Sequence, residues 1–223
     1  RRSDAPFLPG AVAGDAGFRR LNIAAAGLQL GSFAVPLVVP FLLLREGGWT
    51  PEGSGALLSV WAAGTLAGSA AAPRVMMRIG VGRAALAGAL LALAGLTAIA
   101  AWPAAPAVGT MAVSLALQGL GVGLFQVAYA DGVVAALPLS SRGVAGSLTM
   151  VTRTVGWVIG ASLWTGLLQG LEARAFAAGV LPDAARIQAF GGVFVAAAGV
   201  VAVLVAVTLL RRVPGTPIGR GRP

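Results

Sequence analysis

Residues 189–210 read AFGGVFVAAAGVVAVLVAVTLL, 22 positions without one charge, closed by Arg211 and Arg212. A bilayer core about 30 Å thick needs roughly 20 mostly apolar residues in a helix to cross it, and this tract is that long. Working outward from it, five further tracts of the same kind stand out: Leu21–Leu44, Ser54–Val75, Ala84–Trp102, Val108–Ala130 and Val144–Gln169. Prolines and Gly-rich turns mark the breaks between them. The expected fold is all-α, a polytopic membrane protein of six transmembrane helices.

The composition agrees. Of 223 residues, 57% are hydrophobic and only 10% charged, with a mean hydropathy of +0.88, where a soluble domain carries about 45–50% apolar and about 25% charged residues. The net charge of +9 would suit nucleic acid, but the arginines sit in short clusters between long uncharged runs, so no nucleic-acid partner is expected. Cysteine and histidine are absent, which removes thiolate and imidazole metal sites and histidine acid–base catalysis. Seven carboxylates remain, most of them in loops. No catalytic residue, metal site or cofactor is expected, and the chain does not read as an enzyme.

Arginine placement sets the expected orientation. Counting alternate loops, one side holds Arg1, Arg2, Arg19, Arg20, Arg74, Arg78, Arg83, Arg142, Arg211, Arg212, Arg220 and Arg222. The other holds Arg45, Arg174 and Arg186, together with Glu46, Glu52, Glu172 and Asp183. The excess of arginine belongs on the cytoplasmic side. Both termini are therefore expected in the cytoplasm, in a multi-pass protein of the cell (inner) membrane. Residues 1–20, Pro/Gly/Ala-rich and without the regions of a signal peptide, read as a cytoplasmic linker from a preceding half. Residues 21–210 form the bundle and 211–223 a cytoplasmic tail.

Polar residues inside the spans mark candidate positions, because an amide or a charge in hydrocarbon is costly without a partner or water. In the first span Asn22, Gln29 and Pro36 recur every seven residues on one helix face, with Phe33 and Pro40 beside them. The two prolines are expected to bend its outer half. In the second span Ser54, Leu57, Trp61, Gly64, Gly68 and Ala72 share a face, and Gly64 with Gly68 permits close helix approach. In the fourth, Gln118, Gln126 and Tyr129 fall within one arc, either bonding to a neighbouring helix or lining a path. Asp131, on the opposite side, is a candidate proton carrier or charge partner, or an interfacial carboxylate. In the fifth span Gly146, Thr149, Gly156, Gly160 and Trp164 cluster around Arg153, while Leu148, Val151, Val155, Val158 and Ile159 form the other side. Arg153 is thus expected to face protein or water. Leaning toward its helix N-terminus, it has Asp131 as one potential partner, with carbonyls, Gln126 or water as the others.

Several stretches carry a family resemblance. The turn after the second span, Arg74-Val-Met-Met-Arg78-Ile-Gly80-Val-Gly82-Arg83, resembles the Gly/Arg-rich loop motif of the major facilitator superfamily, with Met77 where that motif carries an aspartate. Leu137-Pro138-x-x-x-Arg142-Gly143-x-Ala145-Gly146-Ser147-Leu148, followed by Arg153, Gly156 and Gly160, is similar to a pattern in the 14-span drug–proton antiporter branch. The lead-in Ala5-Pro-Phe-Leu-Pro9, with Phe18-Arg-Arg-Leu-Asn22, resembles the linker before that branch's last six helices. The resemblance implies the C-terminal six-helix half of a secondary transporter. Its activity would be proton-coupled efflux of small amphipathic compounds or drugs by alternating access. The implied partners are the small-molecule substrate, the proton, membrane lipid and the N-terminal half of the same transporter. Asn22, Gln29, Gln118, Gln126, Tyr129 and Arg153 are then the substrate-path candidates. The alternatives are a carrier for sugars or organic acids, with Arg153 holding an anionic group, and a non-transporting membrane scaffold subunit.

Overall fold

A computed structural model describes residues 16–45, 48–136 and 143–210. Of these, 91% are helical and none is in a strand. The helices are α1 (Ala16–Ser32), α2 (Ala34–Arg45), α3 (Pro51–Ile79), α4 (Val81–Ala100), α5 (Val108–Ala136), α6 (Gly143–Ala177) and α7 (Pro182–Leu210). Local chemistry explains several of their ends. Thr50 caps α3 by accepting from the Gly53 N–H at 3.2 Å, with Pro51 at the first helical position. Gly80, at φ +83°, turns the chain directly from α3 into α4, a conformation that costs a side chain-bearing residue heavily. Gly179 at φ +78° ends α6, where the Val180 N–H reaches the Ala175 carbonyl at 3.0 Å.

The first expected span is not one helix. It breaks at Phe33 between α1 and α2, three residues before Pro36. Proline has no N–H for the carbonyl four residues back, here that of Ser32, and its ring crowds that carbonyl. The Trp164 indole of α6 donates instead to the Leu30 carbonyl at 2.8 Å, satisfying part of the opened backbone. Pro40 stays inside α2.

Among the described residues, five segments are long and apolar enough to cross a membrane: Asn22–Arg45 across the break, Pro51–Ile79, Val81–Ala100, Val108–Ala135 and Pro182–Ala206. The protein is membrane-embedded. Six such segments were expected. The remaining expected tract lies in α6, the longest helix at 35 residues, which is not among the five.

Glycines set the packing. On α3 and α5, Gly64 sits against the Ala116 carbonyl, Gly68 against that of Leu120, and Gly123 against that of Thr65, so these helices run parallel at backbone contact. Gly88 and Gly95 of α4 abut Phe125 and Gln118 of α5, so that pair is antiparallel. On the other side, Gly156 and Gly160 of α6 lie against Ala26 and Leu30 of α1, again parallel, while Gly27 and Gly31 of α1 meet Leu204 and Val201 of α7, antiparallel. α4 and α7 join the two groups, with Trp102 stacked on Phe190 at 5.7 Å. Counting α1 and α2 as one segment, exchanging the first three helical segments for the last three therefore maps α3–α5 onto α6–α1 and α4–α5 onto α7–α1, and leaves α4–α7 in place. The second triplet runs opposite in direction to the first.

The expected faces can be followed in the burial. Ser54, Leu57, Gly64, Gly68 and Ala72 of α3 are buried. Val151, Val155, Val158 and Ile159 of α6 are exposed, while Gly156, Gly160 and Trp164 are buried. Much of α3 is uncovered: 17% of its most apolar window is buried, against 44% or more in the other four spans.

Candidate functional site

A polar and aromatic seam runs along α1 where it meets α5 and α6. At one end of it the Tyr129 hydroxyl donates to Asn22 Oδ1 at 2.8 Å, and the Thr152 hydroxyl donates to the same oxygen at 3.3 Å. Gln29, two turns further along α1, is buried, and its Cβ lies where Gly156 of α6 has no side chain. At the break, Phe33 stacks on Trp157 with ring centroids 5.7 Å apart. The Arg153 guanidinium lies over the same indole, its carbon 4.5 Å from the ring centroid. Ser32, next to Phe33, is buried and its hydroxyl has no partner among the described residues. The seam therefore gathers uncharged amides, hydroxyls and aromatic faces around one cation. It contains no nucleophile with an adjacent base.

The expected path residues separate into two groups. Asn22, Gln29, Tyr129 and Arg153 are gathered on this seam, and Gln126 is half-buried one turn before Tyr129. Gln118 is elsewhere. It is fully buried between α3, α4 and α5, where its Oε1 accepts from the Trp61 indole and its backbone meets Gly95. Its Nε2 has no partner among the described residues. Gln118 is thus bonded to a neighbouring helix, where the glycines of α3 and α4 bring the backbones close.

Asp131 is exposed, and Arg153 turns to Trp157 rather than to it. Among the described residues the ion pair is Arg186 with Asp183, at 3.7 Å. The Gly/Arg loop motif is helical apart from Gly80, and Arg74, Arg78 and Arg83 are all exposed. The side chains of Gly146 and Leu148, and the Leu137–Arg142 turn of the quoted pattern, lie outside the described residues. So do the linker 1–15 and the tail 211–223.

Trp157 and Thr152 belong to the seam but were not singled out from sequence. Trp157 did carry a signal, since an aromatic four residues after an arginine on one helix is placed for a cation–π contact. Thr152 carried none, because its partner lies 130 positions away. At the opposite end of the bundle Arg45, Glu172 and Arg186 border a small cleft with Phe41 and Phe190. An apolar groove of about 570 Å³ also lies between α1, α6 and α7, floored by Gly27, Gly156 and Gly199. Compared with known proteins, the chain matches no family model and no curated sequence.

Proposed function

We propose that this chain is the C-terminal six-helix half of a secondary transporter of major facilitator type, exporting small amphipathic compounds by alternating access driven by a proton gradient. The observation that carries this reading is the exchange relation between the two triplets of spans. Repeats of inverted topology, with substrate held near the midplane by a discontinuous helix, are the plan on which many secondary transporters are built. Here the interrupted span is the first, its break at Phe33 lies near the middle of Asn22–Arg45, and Trp157, with Arg153 over its ring, stacks on Phe33 there.

In this reading α6 also crosses the membrane, as the fifth of six crossings. An arginine at such depth costs roughly 2.5–3.5 kcal/mol on insertion scales when it faces lipid, so its side of the helix turns to protein or a water-filled path. The uncovered faces of α3 and α6, which correspond under the exchange, then receive the opposing six-helix half. Both chain ends lie in the cytoplasm.

The test is solute flux in proteoliposomes. The full transporter containing these residues should move a lipophilic fluorescent compound when a pH gradient is imposed, and stop when the gradient is collapsed. The purified chain of residues 1–223, shown to be monomeric, should move none. Gradient-driven transport by that monomer would overturn the assignment as a half.

A further inference from the structure

We propose that Arg153 and Trp157 form a binding site for an amphipathic anion, an aromatic or otherwise flat apolar body bearing one carboxylate or sulfonate. The proposal rests on the transporter reading only in taking the exported compound as the natural ligand. The preference for negative charge comes from the site alone. Trp157 occupies one face of the guanidinium, whose carbon is 4.5 Å from the ring centroid. That contact leaves the rim of the group, where its five N–H donors lie. Among the described residues no carboxylate is paired with that rim: the ion pair is Arg186 with Asp183, and Asp131 is exposed. Its neighbour Thr152 is already bonded to Asn22, which also accepts from Tyr129, and none of the three brings a charge.

A planar fork of donors matches two oxygens of a carboxylate or sulfonate in a way an ammonium group cannot. The fork lies about ten residues from the start of α6, on a half-buried side chain. An anion there neutralises a charge that no carboxylate among the described residues pairs, whereas a lipophilic cation is repelled. The apolar body has its own surface. Trp157 and Phe33 stack 5.7 Å apart, and both are half-buried, so part of each ring stays open beside the fork. The order of affinity expected for one aromatic body is anion first, then neutral, then cation.

Three probes with the same ring system separate charge from hydrophobicity: 2-naphthoate, 2-naphthalenemethanol and 2-naphthylmethylammonium, titrated calorimetrically into the purified protein in lipid nanodiscs. Naphthoate should bind about tenfold tighter than the alcohol, and the ammonium weakest. Arg153→Gln should remove the preference and bring the three within about threefold of each other. Trp157→Leu, which keeps the charge, should weaken all three together and preserve their order. Its melting temperature and elution provide the folding control, and it keeps the test decisive where Arg153→Gln fails to fold. Wild-type protein that binds the ammonium or the alcohol as tightly as naphthoate overturns the proposal, as does folded Arg153→Gln with the preference intact. Charge-ordered binding without flux in the full transporter would sink the transporter reading and leave this site standing. Flux without charge-ordered binding would do the reverse.

Discussion

Tyr129 and Asn22 stand 107 positions apart and meet through a 2.8 Å hydrogen bond, with Thr152 donating to the same amide oxygen. One side-chain oxygen on α1 thus ties in α5 and α6. Away from water such bonds keep their partners, yet measured contributions between membrane helices average only about 0.6 kcal/mol, with a maximum near 1.7. The interaction orients three helices more than it stabilises them.

Tyr129→Phe removes one donor and should lower stability by about 0.5–1 kcal/mol. Asn22→Ala removes the shared acceptor and should cost about 1–2 kcal/mol, because two hydroxyls lose their partner. Adding Tyr129→Phe to Asn22→Ala should then cost almost nothing more. Reversible unfolding in mixed micelles checks all three, and full additivity would show that the bond carries no energy.

Gly68 faces the Leu120 carbonyl so closely that a methyl group cannot fit without moving the backbone. Gly68→Ala should therefore force α3 away from α5 and destabilise by about 1–3 kcal/mol. Gly166 in α6 has open space around it, so Gly166→Ala should be neutral or stabilising by about 0.5–1 kcal/mol. Thermal unfolding of the two variants side by side distinguishes a packing glycine from a merely helical one.

Pro36→Ala returns an N–H to the position where the Ser32 carbonyl needs it, and should let α1 run continuously into α2. Helix content by circular dichroism should hold or rise slightly. In the full transporter, flux should fall while the protein remains folded, because the break is proposed to serve substrate. Unchanged flux would make Pro36 a tolerated kink.

Sidedness is checked with single cysteines at exposed turn positions. Gly82→Cys has free space and should be shielded from an impermeant thiol reagent in intact cells. Ala105→Cys and Ala178→Cys should label; Ala178 is preferable to Gly179, whose φ of +78° disfavours any side chain. Labelling at residue 82 from outside would invert the topology.

Read alone, the chain determined its solvent. Uncharged tracts of about 20 residues leave no other place for so much apolar surface, and backbone groups in hydrocarbon must be satisfied within each helix. The small-residue face of α3 and the division of α6 into an inner glycine side and an outer valine side were legible for the same reason: both follow from the helical period. Period alone does not say which helix lies opposite. Gln118 and Gln126 share an arc of α5, yet one is sealed against Trp61 and Gly95 while the other stays half-exposed, a difference of neighbours that the period does not carry. Likewise Arg153 had several partners within reach along the sequence. Its neighbour on the next helical turn, Trp157, was selected only once Phe33, at the break in another span, had fixed where that ring lies. Tertiary structure decided these points because packing is a property of helix pairs, and the pairs here join Gln118 to Trp61 across 57 positions and Asn22 to Tyr129 across 107.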